Sequence, residues 1–426
     1  MRILLVQPLE KDNHSFHDID YLLEETKKLV LKHPIDLVVF PESFLFGESP
    51  DKCWDDIETI SLMIDCPTII GFSTTEGRED LYYFNPRPEQ NDTPSKNYIK
   101  HSTAESLLFD WDLTPEELEV YYSPILLNGL KIQVNICHDM FFPLIMERLE
   151  REGLDLLINI TGGNVRMSKW NNILRGRSIE TKSFVLCTMS NRQWMKQPSD
   201  RIAYYNGNRI KPVFTKGTGD TRNAFSIFEV STDALTYLDE TAPLYSDKIY
   251  EDFTIGLSDH SDVNIQVGSF SLKTDLNVIS QDNSSYLLEK GKEKIRVHLA
   301  KFESITDRLY VYNQPHDIEE HHVFAYLSPI PIDESAALNL LKLRVIENRI
   351  AGIILSPNLK VIAKTNRYKD IQLFKMPSDT HKIGIPLEHI HGFDSVYQKN
   401  NNSSIGIPIC YKEKYENIIK NYIPSK

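Results

Sequence analysis

Cys137 lies at a predicted turn from a strand to a helix, where a thiol can become a nucleophile. The apolar run 130–136 is long enough for a buried strand, and a helical pattern follows at Phe142, Ile145, Met146 and Leu149. At such a turn the next backbone amide and the positive end of the helix can stabilise a thiolate or an oxyanion. A lone cysteine is more often a small buried apolar residue. A catalytic interpretation therefore needs partners for the thiol.

Two charged residues upstream are candidate partners. Glu42 follows the apolar segment 35–40 and Pro41, and open α/β folds place their chemistry just beyond the carboxyl ends of such strands. Taken alone, Glu42 is equally well explained as a solvated carboxylate in a loop. Lys100 stands near the end of a short predicted strand, 97–101, although single lysines are nearly always surface groups. Together the three side chains supply a nucleophile, a base and a cation.

Four motifs that contain these residues occur in one order along residues 1–259. They are Phe40-Pro41-Glu42, Tyr98-Ile99-Lys100-His101, the segment 136–143 around Cys137, and Arg177-Ser178-Ile179-Glu180 with Asn191. In type and order they resemble the motifs of the carbon–nitrogen hydrolase (nitrilase) superfamily. The resemblance implies an α/β fold, the superfamily's four-layer α-β-β-α sandwich, and a catalytic triad of Glu42, Lys100 and Cys137.

The resemblance also implies roles for individual residues. Glu42 is expected to accept the Cys137 proton and later to activate water, while Lys100 and the backbone amide of His138 stabilise an oxyanion. Glu105 is the nearest match to the family's second glutamate, but the glycine that often precedes that glutamate is absent. A second departure is Leu144, where many members carry a glutamate.

Residues 161–166 are expected to line the substrate pocket, through Thr161, Asn164 and Arg166. Arg166 is a candidate to bind a substrate carboxylate, although an ordinary surface arginine explains it as well. Nitrile-cleaving members usually carry Trp-Glu after the nucleophile, whereas this chain has His138-Asp139, which is closer to the amidase and carbamoylase branches. The predicted substrate is therefore a small-molecule amide or carbamoyl compound.

Two other functions fit the same residues. Acyl transfer would use the same thioester and differ in the acceptor, an amine in place of water. A non-catalytic binding or regulatory protein on this scaffold is the third reading, and the presence of Glu42, Lys100 and Cys137 together argues against it. No cofactor or metal is predicted for any of them.

Composition limits the setting and the partners. The 426 residues carry a net charge of −13, which disfavours nucleic acid and anionic membranes as partners. No apolar run approaches the roughly 18–20 residues that span a bilayer. Residues 1–7 lead into a predicted strand without the features of a signal peptide, and five cysteines are an odd number for a disulfide framework. We expect a cytoplasmic protein and, from the family, a homo-oligomer.

The composition changes near residue 260, where Ser, Asn and Asp become frequent. We expect residues 260–426 to form a smaller accessory α+β domain. One explanation of this domain is a degenerate partial repeat, in which 294–299 matches the opening strand, 340–358 the helix and strand before Glu42, and 405–411 the Cys137 region. In that alignment Asn358 replaces the base, so Cys410 is not expected to form a second active site. The alternative is that any βαβ chain matches this loosely.

Overall fold

The computed structural model describes residues that fall into two compact units, Met1–Thr241 and Ala242–Asn417. The predicted boundary at 259/260 lies outside the described residues. The residues described are 1–12, 15–16, 19–102, 114–162, 167–190, 202–217, 223–231, 253–256, 263–267, 270–274, 277–281, 285–290, 293–311, 314, 320–327, 333–348, 350–355, 359–364, 371–375 and 382–384.

The first unit is rich in strands. These are β1 (Arg2–Gln7), β2 (Glu10–Asp12), β3 (Ser15–Phe16), β4 (Leu37–Val39), β5 (Leu45–Gly47), β6 (Thr68–Thr74), β7 (Glu79–Phe84), β8 (Ser95–Ile99), β9 (Ile125–Leu127), β10 (Leu130–Ile136), β11 (Leu156–Thr161), β12 (Phe184–Met189), β13 (Ala203–Tyr205), β14 (Asn208–Arg209), β15 (Phe214–Gly217) and β16 (Ala224–Glu229). Its helices are α1 (Ile19–Lys32), α2 (Pro50–Ile64), α3 (Pro115–Tyr122), α4 (Pro143–Arg151) and α5 (Met167–Glu180). A short 3-10 helix spans Cys137–Phe141.

Two large sheets organise these strands. The first has the order β15-β16-β1-β4-β6-β7-β8, with β5 also paired to β6, and the second has the order β14-β13-β12-β11-β10-β9. The sheets touch in the interior, where the Thr188 hydroxyl of β12 donates to the Val6 carbonyl of β1 at 2.8 Å. Apolar side chains of α1 and α2, such as Leu22 and Ile57, pack in one buried cluster with Leu4 of β1.

Local sequence explains where the helices begin. Ser49 caps α2 by accepting the backbone N–H of Lys52 at 3.3 Å, and Pro50 follows at the first helical position. Thr114 and Glu117 form a reciprocal capping box at the start of α3. The helix predicted directly after Cys137 begins later than expected. The 3-10 helix intervenes, and α4 starts at Pro143, a residue suited to a first helical turn.

The second unit has a four-stranded and a seven-stranded sheet among its described residues, in the orders β18-β19-β17-β27 and β20-β21-β22-β23-β24-β25-β26. Its strands are β17 (Phe253–Gly256), β18 (Val263–Val267), β19 (Phe270–Thr274), β20 (Asn277–Gln281), β21 (Ser285–Lys290), β22 (Glu293–Lys301), β23 (Glu320–Leu327), β24 (Ala351–Leu355), β25 (Lys360–Lys364), β26 (Gln372–Lys375) and β27 (Lys382–Gly384). A 3-10 helix spans Phe302–Ile305, and α6 spans Glu334–Asn348.

The described helices and strands give a mixed α/β fold, and this part of the fold prediction is confirmed. Within the ranges that the structure describes, no helix is both long and apolar enough to cross a membrane. The parallel strands β1, β4 and β6 sit centrally in the first sheet, and β10, β11 and β12 sit centrally in the second. Side chains at the carboxyl ends of these parallel strands can therefore meet between the sheets.

The backbone that follows β4 packs closely against Gly71 of β6. A Cβ at Gly71 would lie 2.6 Å from the Glu42 Cα and the Pro41 carbonyl oxygen, and 2.7 Å from the Ile160 Cδ1. Two of these contacts are backbone atoms, which cannot move aside like the tip of a flexible side chain. The absence of a side chain at Gly71 thus sets the position of Glu42 against both sheets.

We expect Gly71→Ala to lower the free energy of unfolding by about 1–3 kcal/mol, as overpacking of a tight interior does. Denaturant unfolding followed by circular dichroism measures the change. Gly217→Ala is the matched control, because a Cβ there meets nothing within 4 Å. If Gly71→Ala unfolded at the same denaturant concentration as the parent, that result would contradict the close packing of the Glu42 backbone against Gly71.

Candidate active site

Cys137 occupies a strained backbone position at the end of β10. Its φ angle is 48°, in the left-handed region that residues with a side chain rarely adopt. Such conformations cost on the order of 1–3 kcal/mol and persist where surrounding contacts enforce them. One enforcing contact is that the Asn159 side-chain amide donates to the Cys137 carbonyl at 3.2 Å. Asn159 itself is held by the Asn135 side chain at 2.7 Å.

Arg177 fixes the 3-10 helix from the other side. This fully buried side chain donates through Nε (3.1 Å) and Nη2 (2.9 Å) to the carbonyl oxygen of Met140. Its remaining Nη1 pairs with Glu180 at 2.7 Å, so the guanidinium charge is balanced within α5. The motif 177–180 therefore stabilises the turn at Cys137 by binding a backbone carbonyl of that turn.

The Cys137 sulfur contacts two of the predicted site residues. The Thr161 hydroxyl donates to Sγ at 3.2 Å, and the His138 Nδ1 lies 3.4 Å from Sγ. The His138 ring also stacks on Phe141, with ring centroids 4.9 Å apart, and meets Trp170 edge-on. The family resemblance implied a role only for the backbone amide of His138. The contact of the His138 imidazole with the nucleophile was not predicted.

Glu42 and Lys100 form a direct buried ion pair. The Lys100 Nζ lies 2.6 Å from the Glu42 Oε1, and the two side chains are 4% and 7% exposed. The other carboxylate oxygen of Glu42 accepts the backbone N–H of Gly162 at 2.6 Å. Gly162 directly follows Thr161, so the end of β11 contacts both the sulfur and the carboxylate. The structure thus connects Cys137 to Glu42 and Lys100 through two successive residues of one strand end.

A second carboxylate, Glu79, also pairs with Lys100. Sequence reasoning did not single it out, because nothing in its own segment distinguishes it from other acidic residues near a turn. The antiparallel pairing of β7 with β8 places it opposite Lys100, whose backbone N–H donates to the Glu79 carbonyl at 3.2 Å. The predicted Glu105, Asn164 and Arg166 lie outside the described residues, as do Asn191, Asn358 and Cys410.

Charge and burial keep the Cys137 thiol protonated in the resting protein. Burial raises the pKa of Cys137 well above its ordinary value, and the negative charge of Glu42 adds to this effect. Lys100 and the hydrogen bond from Thr161 oppose it. Burial also disfavours the charged form of Lys100, but the carboxylates of Glu42 and Glu79 outweigh that effect and hold the Lys100 pKa well above its usual range. The site therefore combines a neutral thiol with a permanent ammonium.

Asp139 is a further residue that the sequence left without a role. Its buried carboxylate receives three donors from the segment around Lys100, namely the Ser102 hydroxyl at 2.6 Å, the Tyr98 hydroxyl at 2.9 Å and the His101 backbone N–H at 3.3 Å. Burial raises the pKa of Asp139 to about 7, although these donors and Lys100 favour the anion. Asp139 fixes the lysine segment to the 3-10 helix that begins at Cys137.

Comparison with protein families agrees with the motifs. Residues 94–210 match the family model described as carbon-nitrogen hydrolase, a segment that contains Lys100, Cys137 and Arg177. This match confirms the predicted resemblance to the carbon–nitrogen hydrolase superfamily. No curated protein sequence gave a match.

Solved structures of the nitrilase superfamily are similar to the chain. An amidase from Nesterenkonia sp. is 15% identical, with a TM-score of 0.40, and the match covers 55% of this chain and 92% of the amidase. Nit3 of Saccharomyces cerevisiae, a member of branch 10 of the nitrilase superfamily, is 15% identical, with a TM-score of 0.41, and the match covers 58% of this chain and 96% of Nit3.

Among the described residues, no group of three or more His, Cys, Asp or Glu side chains could hold a metal ion.

Thr161→Val should make Cys137 harder to ionise. The Thr161 hydrogen bond to sulfur favours the thiolate, so removing it raises the Cys137 pKa further and lowers the thiolate fraction at any fixed pH. We expect iodoacetamide to alkylate Cys137 more slowly in this variant, with the pH profile moved to higher pH. The measurement is alkylation rate against pH, with peptide mapping to assign the sulfur.

Thr161→Ser is the control, because it keeps the hydroxyl and should retain the profile of the parent. A Thr161→Val profile that coincided with the parent's would show that the hydroxyl does not act on the sulfur.

Proposed function

We propose that the chain is a thiol-dependent hydrolase of small-molecule amides or carbamoyl compounds. The observation that carries the proposal is the buried pair of Glu42 and Lys100, joined to the strained Cys137 through Thr161 and Gly162. A carboxylate and an ammonium are costly to bury without a compensating use. Here they supply a proton acceptor and a positive charge next to a nucleophile.

The first half of the reaction forms a thioester. Glu42 accepts the Cys137 proton, and the sulfur attacks the carbonyl carbon of the amide. A tetrahedral intermediate forms, and its oxygen carries the negative charge. When that intermediate collapses, the C–N bond breaks and the proton held by Glu42 passes to the leaving nitrogen. The products of this half are ammonia or an amine, and an acyl group on the Cys137 sulfur.

The second half returns the enzyme to its resting state. Glu42 removes a proton from water, and the resulting hydroxide attacks the thioester carbon. The C–S bond then breaks, the carboxylic acid leaves, and the proton on Glu42 returns to the sulfur. A neutral resting thiol fits this sequence, because the base must both accept and return one proton in each half.

Lys100 and the backbone amide of His138 stabilise the oxyanion in both halves. Lys100 is suited to this role because its charge is maintained by Glu42 and by a second carboxylate, Glu79. Thr161, Asn164 and Arg166 are proposed to contact the substrate, and Glu105 remains a candidate for the family's second glutamate. The imidazole of His138, with Nδ1 3.4 Å from the sulfur, lies beside the nucleophile.

We further infer that the first unit has the four-layer α-β-β-α arrangement of the superfamily. The contact between β1 and β12 supports two stacked sheets, and the cluster shared by α1, α2 and the first sheet supports one outer helical layer. On the other side, Trp170 of α5 donates to the Cys187 sulfur of β12 at 3.3 Å, which supports the second outer layer.

We propose that the protein forms a homo-oligomer in the cytoplasm.

The second unit is proposed to be a degenerate copy of the half-domain that carries Cys137. From β21 to β26 its sheet repeats the strand directions of β9 to β14, namely antiparallel, parallel, parallel, antiparallel and antiparallel. A 3-10 helix follows β22 as it follows β10, and α6 precedes β24 as α5 precedes β12. This supports a different correspondence from the sequence alignment, since residues 294–299 match β10 and not β1.

One side-chain arrangement is repeated as well. The buried Arg344 of α6 donates through Nε to the Ile305 carbonyl at 3.1 Å and pairs with Glu347 three residues later. Arg177 makes the same contacts with Met140 and Glu180. In this correspondence Phe302 takes the place of Cys137, because each opens its 3-10 helix. The second unit would thus have no nucleophile at that position.

Substitutions at the three central residues test the hydrolase proposal. Cys137→Ala should release no ammonia from an amide panel, and Glu42→Gln should be nearly inactive, since an amide cannot accept the thiol proton. In Lys100→Ala we expect the turnover rate to fall on the order of a hundredfold or more. Cys66→Ala, another buried thiol, and Cys410→Ala should turn over at the parent's rate. Equal activity in all five variants would exclude thiol catalysis, and amine-dependent product formation would favour acyl transfer.

A pair of substitutions tests the proposed copy. Arg177→Met and Arg344→Met should each lower the free energy of unfolding by about 3–5 kcal/mol, because each leaves a buried carboxylate without its partner. Arg177→Met should also lower kcat per folded molecule, since it frees the Cys137 turn, whereas Arg344→Met should not. Arg177→Lys and Arg344→Lys keep the positive charge but lose the guanidinium contact with the carbonyl. Comparing them with the methionine variants separates the effect of the charge from the effect of that contact. A comparable fall of kcat in both methionine variants would assign the second unit a catalytic part.

A further inference from the structure

Glu79 lies opposite Lys100 in the hairpin of β7 and β8, and its carboxylate pairs with the same ammonium as Glu42. Asp80 pairs with Ile99 across the two strands, so Glu79 lies opposite Lys100, and the backbone of the two residues is joined at 3.2 Å. Side chains alternate along a strand, so Glu79 points to the site while the next residue, Asp80, forms its own ion pair with Arg78. Glu79 is therefore tied to Lys100 by strand register as well as by charge.

Exposure distinguishes the two carboxylates on Lys100. The side chain of Glu79 is 29% exposed, whereas those of Glu42 and Lys100 are 7% and 4% exposed. Glu42 is also committed to the Gly162 N–H through its second oxygen. Glu79 thus forms the solvent-facing side of the charged cluster, and Glu42 forms the buried side.

We propose that Glu79 is a positioning residue for catalysis, which holds Lys100 through a second ion pair and so leaves Glu42 available as the proton acceptor. With Glu42 alone, the Lys100 ammonium would pair entirely with the base and oppose its protonation. Sharing the ammonium between two carboxylates weakens that opposition and fixes the direction of the remaining Lys100 N–H. The cluster then carries one net negative charge, which favours transfer of the Cys137 proton to Glu42.

The charge of Glu79 also acts on the nucleophile itself. It raises the Cys137 pKa, after burial and Glu42. Removal of the Glu79 charge should therefore have two effects of opposite sign. The thiol becomes easier to ionise, and yet turnover falls because Lys100 and Glu42 lose their arrangement. A residue needed only for folding would not produce this combination.

This inference rests on the proposed hydrolase function, and the test keeps the two apart. Hydrolysis of an amide by the parent tests the function, whereas alkylation of Cys137 by iodoacetamide needs no turnover. If the parent hydrolysed no amide, the proposed function would fail, and the effect of Glu79 on the thiol could still be measured.

The experiment compares Glu79→Gln, Glu79→Asp and Glu76→Gln with the parent in the full-length protein. Glu76 is the matched control, because it is exposed in the turn before β7 and its substitution removes the same charge. For Glu79→Gln we expect kcat to fall roughly tenfold to a hundredfold, less than for loss of an oxyanion donor, with a smaller change in KM. Its alkylation profile should move to lower pH. Glu79→Asp should recover part of kcat, and Glu76→Gln should match the parent.

Two outcomes would overturn the proposal. One is a Glu79→Gln variant with the kcat of the parent, particularly if Glu105→Gln were impaired, which would assign the second carboxylate to Glu105. The other is a lower kcat with an unshifted alkylation profile, which would indicate a structural role alone. Thermal unfolding of each variant verifies that the compared proteins are folded.

Discussion

The buried ion pair between Lys100 and Glu42 is the interaction on which the site depends. Removing two charges from water costs several kcal/mol per ion, and their attraction repays this only when the geometry is good and further hydrogen bonds are made. Here the backbone N–H of Gly162 and the carboxylate of Glu79 supply those further contacts. Three strand ends, those of β4, β8 and β11, must therefore meet at one point, and Gly71 leaves the space for that approach.

The nucleophile depends on a second set of constraints. A left-handed backbone at Cys137 turns the chain sharply after β10, and Asn159 and Arg177 hold the carbonyls on either side of that turn. The positive end of a long helix is not part of this arrangement, because the turn is a 3-10 helix of five residues. Negative charge at Cys137 is therefore favoured by Lys100 and by single hydrogen bonds such as that of Thr161, and less by a helix dipole.

Apolar periodicity in the sequence was enough to locate the strands that lead to Glu42, Lys100 and Cys137, and the order of the motifs was enough to predict the resemblance to the superfamily. Neither signal revealed Glu79 or Asp139, because the contacts of these residues come from strand pairing and from packing of distant segments. The proposed repeat in the second unit was aligned differently from the sequence for the same reason. The segment 294–299 has the pattern of any buried strand, and only the directions of its neighbours in the sheet favour β10 over β1 as its proposed counterpart.

The central claim is that an acyl group is carried on the Cys137 sulfur during cleavage of a C–N bond. The most direct measurement is the intact mass of the protein quenched in acid during turnover of a slowly hydrolysed amide, followed by peptide mapping. We expect one adduct per chain, equal in mass to the amide less ammonia, on the peptide that contains Cys137, and its loss on treatment with hydroxylamine. Turnover with no adduct in any quench, or an adduct that persists in Cys137→Ala, would contradict it.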